Sequence, residues 1–223
     1  MTGGRVGVVS RDDILDGRVV LTASGGLDDV EEGVTVLALF GATEAVGGGP
    51  PVEVLGGFAD RLAELSRRPV VTFAPRGLDG GGAFREREAL ADARRVLAEV
   101  GGPVVVLAAT VAAGVGVALG RDERVVGVAL VDPWTIGEAV AFGVNLDTDA
   151  SIDQSGDALA CAVLVVTDHE RDVGAIETIA PEAEMHRLSG AARSFVLDAR
   201  VLAIVAGWIE RAPWSGEVAS PEA

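Results

Sequence analysis

The sequence contains no tyrosine, one cysteine and two histidines, and its 18 Lys and Arg stand against 34 Asp and Glu, a formal net charge of −16. Each shortage excludes something. The single cysteine, Cys161, rules out an intrachain disulfide and argues against a cysteine metal centre; within "LACAVLVV" it reads as a small buried hydrophobe. Two histidines, His169 and His186, leave few side chains able to act as a base near neutral pH. The negative balance argues against nucleic acid or an anionic membrane as partner, because phosphates are met by Lys and Arg. No apolar run approaches the ~18 residues that a membrane-spanning helix needs. The opening "MTGGRVGVVSRDD" has no basic segment followed by an apolar one, so the expected location is the cytoplasm. No set of His, Cys and carboxylates has metal spacing, and no metal or other cofactor is expected. The expected partner is a small apolar or anionic molecule, with a homodimer left open.

What is present points to one sizeable α/β domain. The 223 residues are 49% hydrophobic, enough for a well-buried core. Five runs are apolar on nearly every residue: "TVLALF" (34–39), "PVVTFA" (69–74), "PVVVLAA" (103–109), "VVGVALV" (125–131) and "AVLVVT" (162–167). Continuous rather than alternating runs predict strands covered on both faces, as in a parallel sheet. Helical stripes lie between and after them. They are carried by Phe58, Leu62 and Leu65, by Leu90, Ala93, Val96, Leu97 and Val100, and by Leu197, Val201, Leu202, Val205, Trp208 and Ile209. "RVGVV" and "RVVLTA" near the start predict an antiparallel hairpin at the sheet edge. "GATEAVGGGPP" (41–51) and "RGLDGGG" (76–82) are Gly-rich loops at carboxyl ends of strands, where open α/β sheets bind ligands. The first of these is no dinucleotide loop: it does not follow the first strand, and Glu44 stands where a small residue is wanted. The domain is expected to span 1–211, with 134–160 as a short lid and 212–223 as a flexible tail.

The stretch "VVVLAATVAAGVGVALG" (104–120) reads as a buried strand, a sharp turn at Thr110 and a helix. Such a turn is where the pattern G-x-S-x-G mounts a nucleophilic serine. Six segments in order resemble the α/β-hydrolase superfamily, of its small-molecule, cap-poor type: "VLALFGA", "VVTFAPRGLDGGG", "ALADARRVLAEVGGPVVVLAATVAAGVGVAL", "RDERVVGVALVDPW", "AVLVVTDHERD" and "AEMHRLSGAARSF". The resemblance implies an α/β-hydrolase-like sandwich: a mostly parallel central sheet with an antiparallel N-terminal hairpin, helices on both faces and a minimal cap. It places Thr110 at the nucleophile position, with Ala108 and Ala112 where glycines are common. It puts Arg193 where the family carries its histidine, and a guanidinium has no acceptor for a proton. Asp172 is the preferred acid, with His169 and Glu170 as second choices from "DHERD". The oxyanion hole would use backbone N–H groups of Val111 and of Phe40, Gly41 or Ala42. Trp134 and Arg76 would line the pocket, and Trp134, Phe40, Thr110 and Arg193 would border one cavity. His186 is expected to be structural.

With serine and histidine both missing from their places, the triad reads as degenerate. Thr110 could be a nucleophile, or it could only bond the helix start or line a pocket, which is the favoured reading. The leading expectation is therefore a non-hydrolytic cyclase, lyase or isomerase that works by pocket shape and fixed donors. The alternatives are a non-catalytic binding or assembly protein, and an esterase or thioesterase with Thr110 as nucleophile.

Overall fold

The computed structural model describes residues 21–24, 34–40, 51–73, 84–100, 102–135, 138, 146–147, 157–168, 172–189, 198–211 and 214. The strands are β1 (Leu21–Ser24), β2 (Thr35–Leu39), β3 (Val70–Phe73), β4 (Phe84–Arg85), β5 (Val104–Ala109), β6 (Val125–Val131), β7 (Leu146–Asp147), β8 (Ala162–Asp168) and β9 (Glu184–Leu188). The helices are α1 (Pro51–Ser66), α2 (Glu86–Glu99), α3 (Ala113–Leu119), α4 (Gly174–Ile179) and α5 (Ala199–Arg211). All five apolar runs form strands within a residue or two of their expected limits. Pro51 opens α1, where its missing N–H costs nothing.

Among the described residues, seven strands form one sheet in the order β1-β3-β2-β5-β6-β8-β9. Every pairing is parallel except that of β1 with β3. β1 is the second strand of the expected hairpin. Its partner "RVGVV" lies outside the described residues, so the hairpin is not established; what is observed is an antiparallel edge strand. From β2 the chain steps outward to β3, then returns to β5 on the other side of β2. That reversal is a topological switch point, and open α/β sheets bind ligands in the crevice outside the carboxyl ends of the strands there, here β2 and β5.

The continuous apolar runs have the predicted consequence. Along β5, Val104, Val106 and Ala108 pack into one cluster with α2, α3 and α4. Val105, Leu107 and Ala109 pack into a second cluster with α1 and α5. Helices thus cover both faces. Two features escaped the sequence pattern. β4 and β7 pair as a separate two-residue parallel ladder that ties the 134–160 stretch to the start of α2, and strands this short carry no readable period. Trp214 falls in the stretch expected to be a free tail, yet it is buried against Trp208, with ring centroids 5.1 Å apart. Its indole N–H donates to the Ile209 carbonyl at 2.6 Å. Gly127 leaves the room: a Cβ there would stand 2.5 Å from the Trp214 ring.

A second close approach sets the height of α3 on the sheet. A Cβ at Gly116 would lie 2.4 Å from the Ala108 Cβ, which is fixed to the backbone of β5. Gly116→Ala is therefore expected to lower the unfolding free energy by about 1–3 kcal/mol, the usual cost of overpacking. Adding Ala108→Gly should recover most of the loss. Urea unfolding of the two single variants and the double variant measures the coupling; strict additivity would disprove the contact as its cause.

Candidate functional site

β5 ends at Ala109, and the next three residues, Thr110–Ala112, form a single 3-10 turn that leads into α3. Thr110 has φ 47° and is 4% exposed. Left-handed backbone is disfavoured for any L-residue and most for a β-branched one, whose second Cβ substituent crowds the main chain. Two other described non-glycine residues share this region, Arg67 with φ 53° and Asp132 with φ 46°. Arg67 follows the end of α1, a usual place for a left-handed residue. Thr110 and Asp132 instead follow the last residues of β5 and β6.

The sheet register brings those two together. Ala109 pairs with Val131, so the next residues, Thr110 and Asp132, leave neighbouring strands side by side, at the usual strand spacing of about 5 Å. Trp134 joins them. Its backbone N–H donates to the Thr110 carbonyl at 3.2 Å, and its indole N–H donates to Asp132 Oδ2 at 3.0 Å. Asp132 is 7% exposed, and its own N–H donates to Val166 O on β8 at 2.7 Å. Val131 pairs with Val166, so Thr167 is the register neighbour of Asp132 on the far side. Its hydroxyl is fully buried with no hydrogen-bond partner among the described residues.

The expected site residues distribute as follows. Thr110, Val111 and Trp134 come together. Val111 is the second residue of the turn, where helix-start amides have no intrahelical acceptor. Phe40 directly follows β2 and flanks the crevice, but its ring packs edge-on to Phe58 at 5.1 Å in the α1–α5 cluster. Trp134 packs against the opposite cluster. Asp172 is exposed and accepts the Gly174 N–H at 2.9 Å, bracing the start of α4. His186 is on the outermost described strand of the sheet, 2.7 Å from Glu184 Oε1, which also accepts from Arg211 at 2.9 Å. Gly41, Ala42, Arg76, His169, Glu170 and Arg193 lie outside the described residues. Asp132 was missed by sequence reading because "VDPW" looked like nothing more than a strand end. The signal was Pro133: a residue before proline is pushed toward extended backbone, so only a specific tertiary demand holds Asp132 at φ 46°.

A groove of about 530 Å³ lies elsewhere, at the amino ends of β6 and β8, lined by Gly120, Arg121, Asp157 and Cys161 among others. Cys161 is a half-buried free thiol rather than a sealed one, and burial pushes its pKa up. Among the described residues no group of three or more His, Cys, Asp and Glu could hold a metal ion, and no helix is long and apolar enough to cross a membrane.

No family model and no curated protein sequence matches the chain. Solved structures do match. A hyperthermophilic esterase from the archaeon Pyrobaculum calidifontis aligns with TM-score 0.66 and 18% identity, covering 92% of this chain and 85% of its own. An alpha-beta serine hydrolase homologue from Coxiella burnetii aligns with TM-score 0.60 and 15% identity, over 95% and 97%. A monoacylglycerol lipase from Paleococcus ferrophilus aligns with TM-score 0.58 and 13% identity, over 86% and 98%. The leading expectation of a non-hydrolytic cyclase, lyase or isomerase is overturned by this company: these relatives are named as hydrolases, and they lend nothing to a cyclase, a lyase or a degenerate triad. The physical reason is that the sequence reading weighed missing side chains, whereas the likeness resides in backbone geometry. Strand order, the reversal beside β2, the left-handed turn after β5 and these likenesses agree: the chain has the α/β-hydrolase fold.

Proposed function

We propose that the protein hydrolyses carboxylic esters or thioesters, with Thr110 as nucleophile. The observation that carries this reading is the left-handed Thr110 at the strand-to-helix turn beside the β2–β5 crevice. A non-glycine residue held there costs about 1–3 kcal/mol, a cost that persists where the site requires it. The hydrolase names of the structural relatives support the same chemistry.

The steps follow from the fold. The Thr110 hydroxyl attacks the acyl carbon, and the carbonyl oxygen becomes an oxyanion. The Val111 amide and an amide of the loop after β2 (Phe40, Gly41 or Ala42) donate to it. Collapse breaks the bond to the leaving alkoxide or thiolate, which departs with a proton. Water then releases the acid and restores the threonine.

Short-chain p-nitrophenyl esters and acyl thioesters test the reading. The expected result is turnover above the buffer blank, with an acyl or fluorophosphonate adduct mapped to Thr110 by peptide mass. No turnover on either class, together with no adduct, would overturn it.

A further inference from the structure

We infer that Asp132 is the catalytic base of this site, taking the Thr110 proton directly in place of an imidazole. The inference rests on the reading of Thr110 as nucleophile. Four observations place the carboxylate. Register sets Asp132 beside Thr110 on the adjacent strand end. Both residues are held at nearly the same left-handed φ, 46° and 47°, at chemically unrelated side chains. Trp134 binds both, one through its backbone and the other through its indole. Asp132 is 7% exposed, so bulk water competes little with Thr110 for its carboxyl group.

Burying a carboxylate is costly unless it is bonded. The indole N–H on Oδ2 meets part of that cost and fixes the rotamer, much as a third residue orients the base in a nucleophile–base pair. Pro133 has no N–H to compete for either oxygen, and it stiffens the link between Asp132 and Trp134. The proton balance closes. As the Thr110 oxygen bonds to the acyl carbon, its proton passes to Asp132. The same proton goes to the leaving alcohol or thiol when the tetrahedral species collapses. In the second half, Asp132 takes a proton from the attacking water and returns it to Thr110 as the acid is released. No oxidant, metal or further co-reactant is needed.

An aspartate base and a histidine base differ in their pH signature. With Asp132 as base, the acidic limb of kcat/KM survives His169→Gln and moves when the Trp134 donor is removed; with His169 as base, it disappears in His169→Gln. The test is the pH profile of p-nitrophenyl ester hydrolysis for the wild type, Asp132→Asn, Trp134→Phe and His169→Gln, with thermal unfolding of each. Asp132→Asn is expected to lose at least a hundredfold in kcat/KM while Thr110 remains reachable by fluorophosphonate in a slowed reaction. Trp134→Phe removes a donor to the charged carboxylate and should move the acidic limb upward. His169→Gln should stay within threefold of wild type. An acidic limb that disappears in His169→Gln, or an Asp132→Asn variant within threefold of wild type, overturns the inference and leaves Thr110 chemistry standing. Should Asp132→Asn fail to fold, an acidic limb unmoved in Trp134→Phe overturns it instead. Absence of all hydrolysis and of any Thr110 adduct in the wild type removes the hydrolase reading and this inference with it.

Discussion

Thr110→Ala drops ester turnover on the order of a thousandfold, and Thr110→Ser keeps it within about tenfold, because only the serine variant retains an attacking oxygen. The size follows from mechanism. Without the hydroxyl no covalent intermediate forms, and only the residual effects of binding and fixed donors remain. The backbone supplies a second readout. At φ 47°, Thr110→Gly should unfold at a free energy about 1 kcal/mol higher than Thr110→Ala, since glycine alone reaches this region without a Cβ clash. A helix-interior or ordinary strand position gives the reverse order. Urea unfolding of the two variants, beside kcat/KM for all three, checks both halves. If Thr110→Ala retains full turnover, the nucleophile is elsewhere; if alanine is the more stable of the pair, the strain is not there.

The second large effect concerns stability rather than turnover. Glu86 is the first residue of α2 and is 4% exposed. Burial pushes its pKa from 4.5 to about 7, despite the helix N-terminus, which by itself favours the charged form. The folded protein thus binds this proton more tightly than the unfolded chain. Between pH 4.5 and about 7 it holds more protons, so stability falls as pH rises through that window. The full span corresponds to about 3 kcal/mol at 1.36 kcal/mol per pKa unit. Glu86→Gln, which cannot ionise, should erase that slope and exceed wild type in stability at pH 8 by a similar amount. Other shifts run the opposite way at lower pH. Hydrogen bonds from the Arg200 side chain and backbone hold Asp198 below its usual value. At Asp122, burial pushes upward, but the hydrogen bonds and charge of Arg124 outweigh it and leave the group lowered. Their contributions are lost as pH falls below about 3.8. Urea midpoints at pH 5 and pH 8 for wild type and Glu86→Gln decide the matter; equal slopes in the two proteins would clear Glu86 of the effect.

The fold was legible because its signal is local and redundant. Val104–Ala109 could only be a strand buried on both faces, and each of its six residues is in fact buried. Thr110 was legible as a turn apex for the same reason: β-formers stop and small residues begin. Its role was not legible. The motif positions lack serine and histidine, but a sequence does not display φ. Asp132 was hidden more deeply, because it lies twenty-two positions from Thr110 in the chain, and only the pairing of Ala109 with Val131 makes them neighbours. Trp214 was hidden likewise, since its burial depends on the bare face of Gly127. Asp172 has a local task that composition could not show: its Oδ1 accepts the Gly174 N–H at the turn into α4. Side-chain identity in a motif says which chemistry is allowed, and register says which groups can meet.

The reversal beside β2 also has a cost in time. β2 and β5 pair in register, Val36 with Val105, although about 70 residues separate them along the chain. As the polypeptide leaves the ribosome, β2 waits through the synthesis of α1, β3 and α2 for the neighbour that covers its inner edge. Until then that edge of β2 is open, and β5 itself, Val104–Ala109, holds no charge and no proline to discourage pairing with another chain once it is made. Distant parallel pairing makes for slow nascent folding, so recovery from denaturant competes with self-association and declines as the protein is made more concentrated.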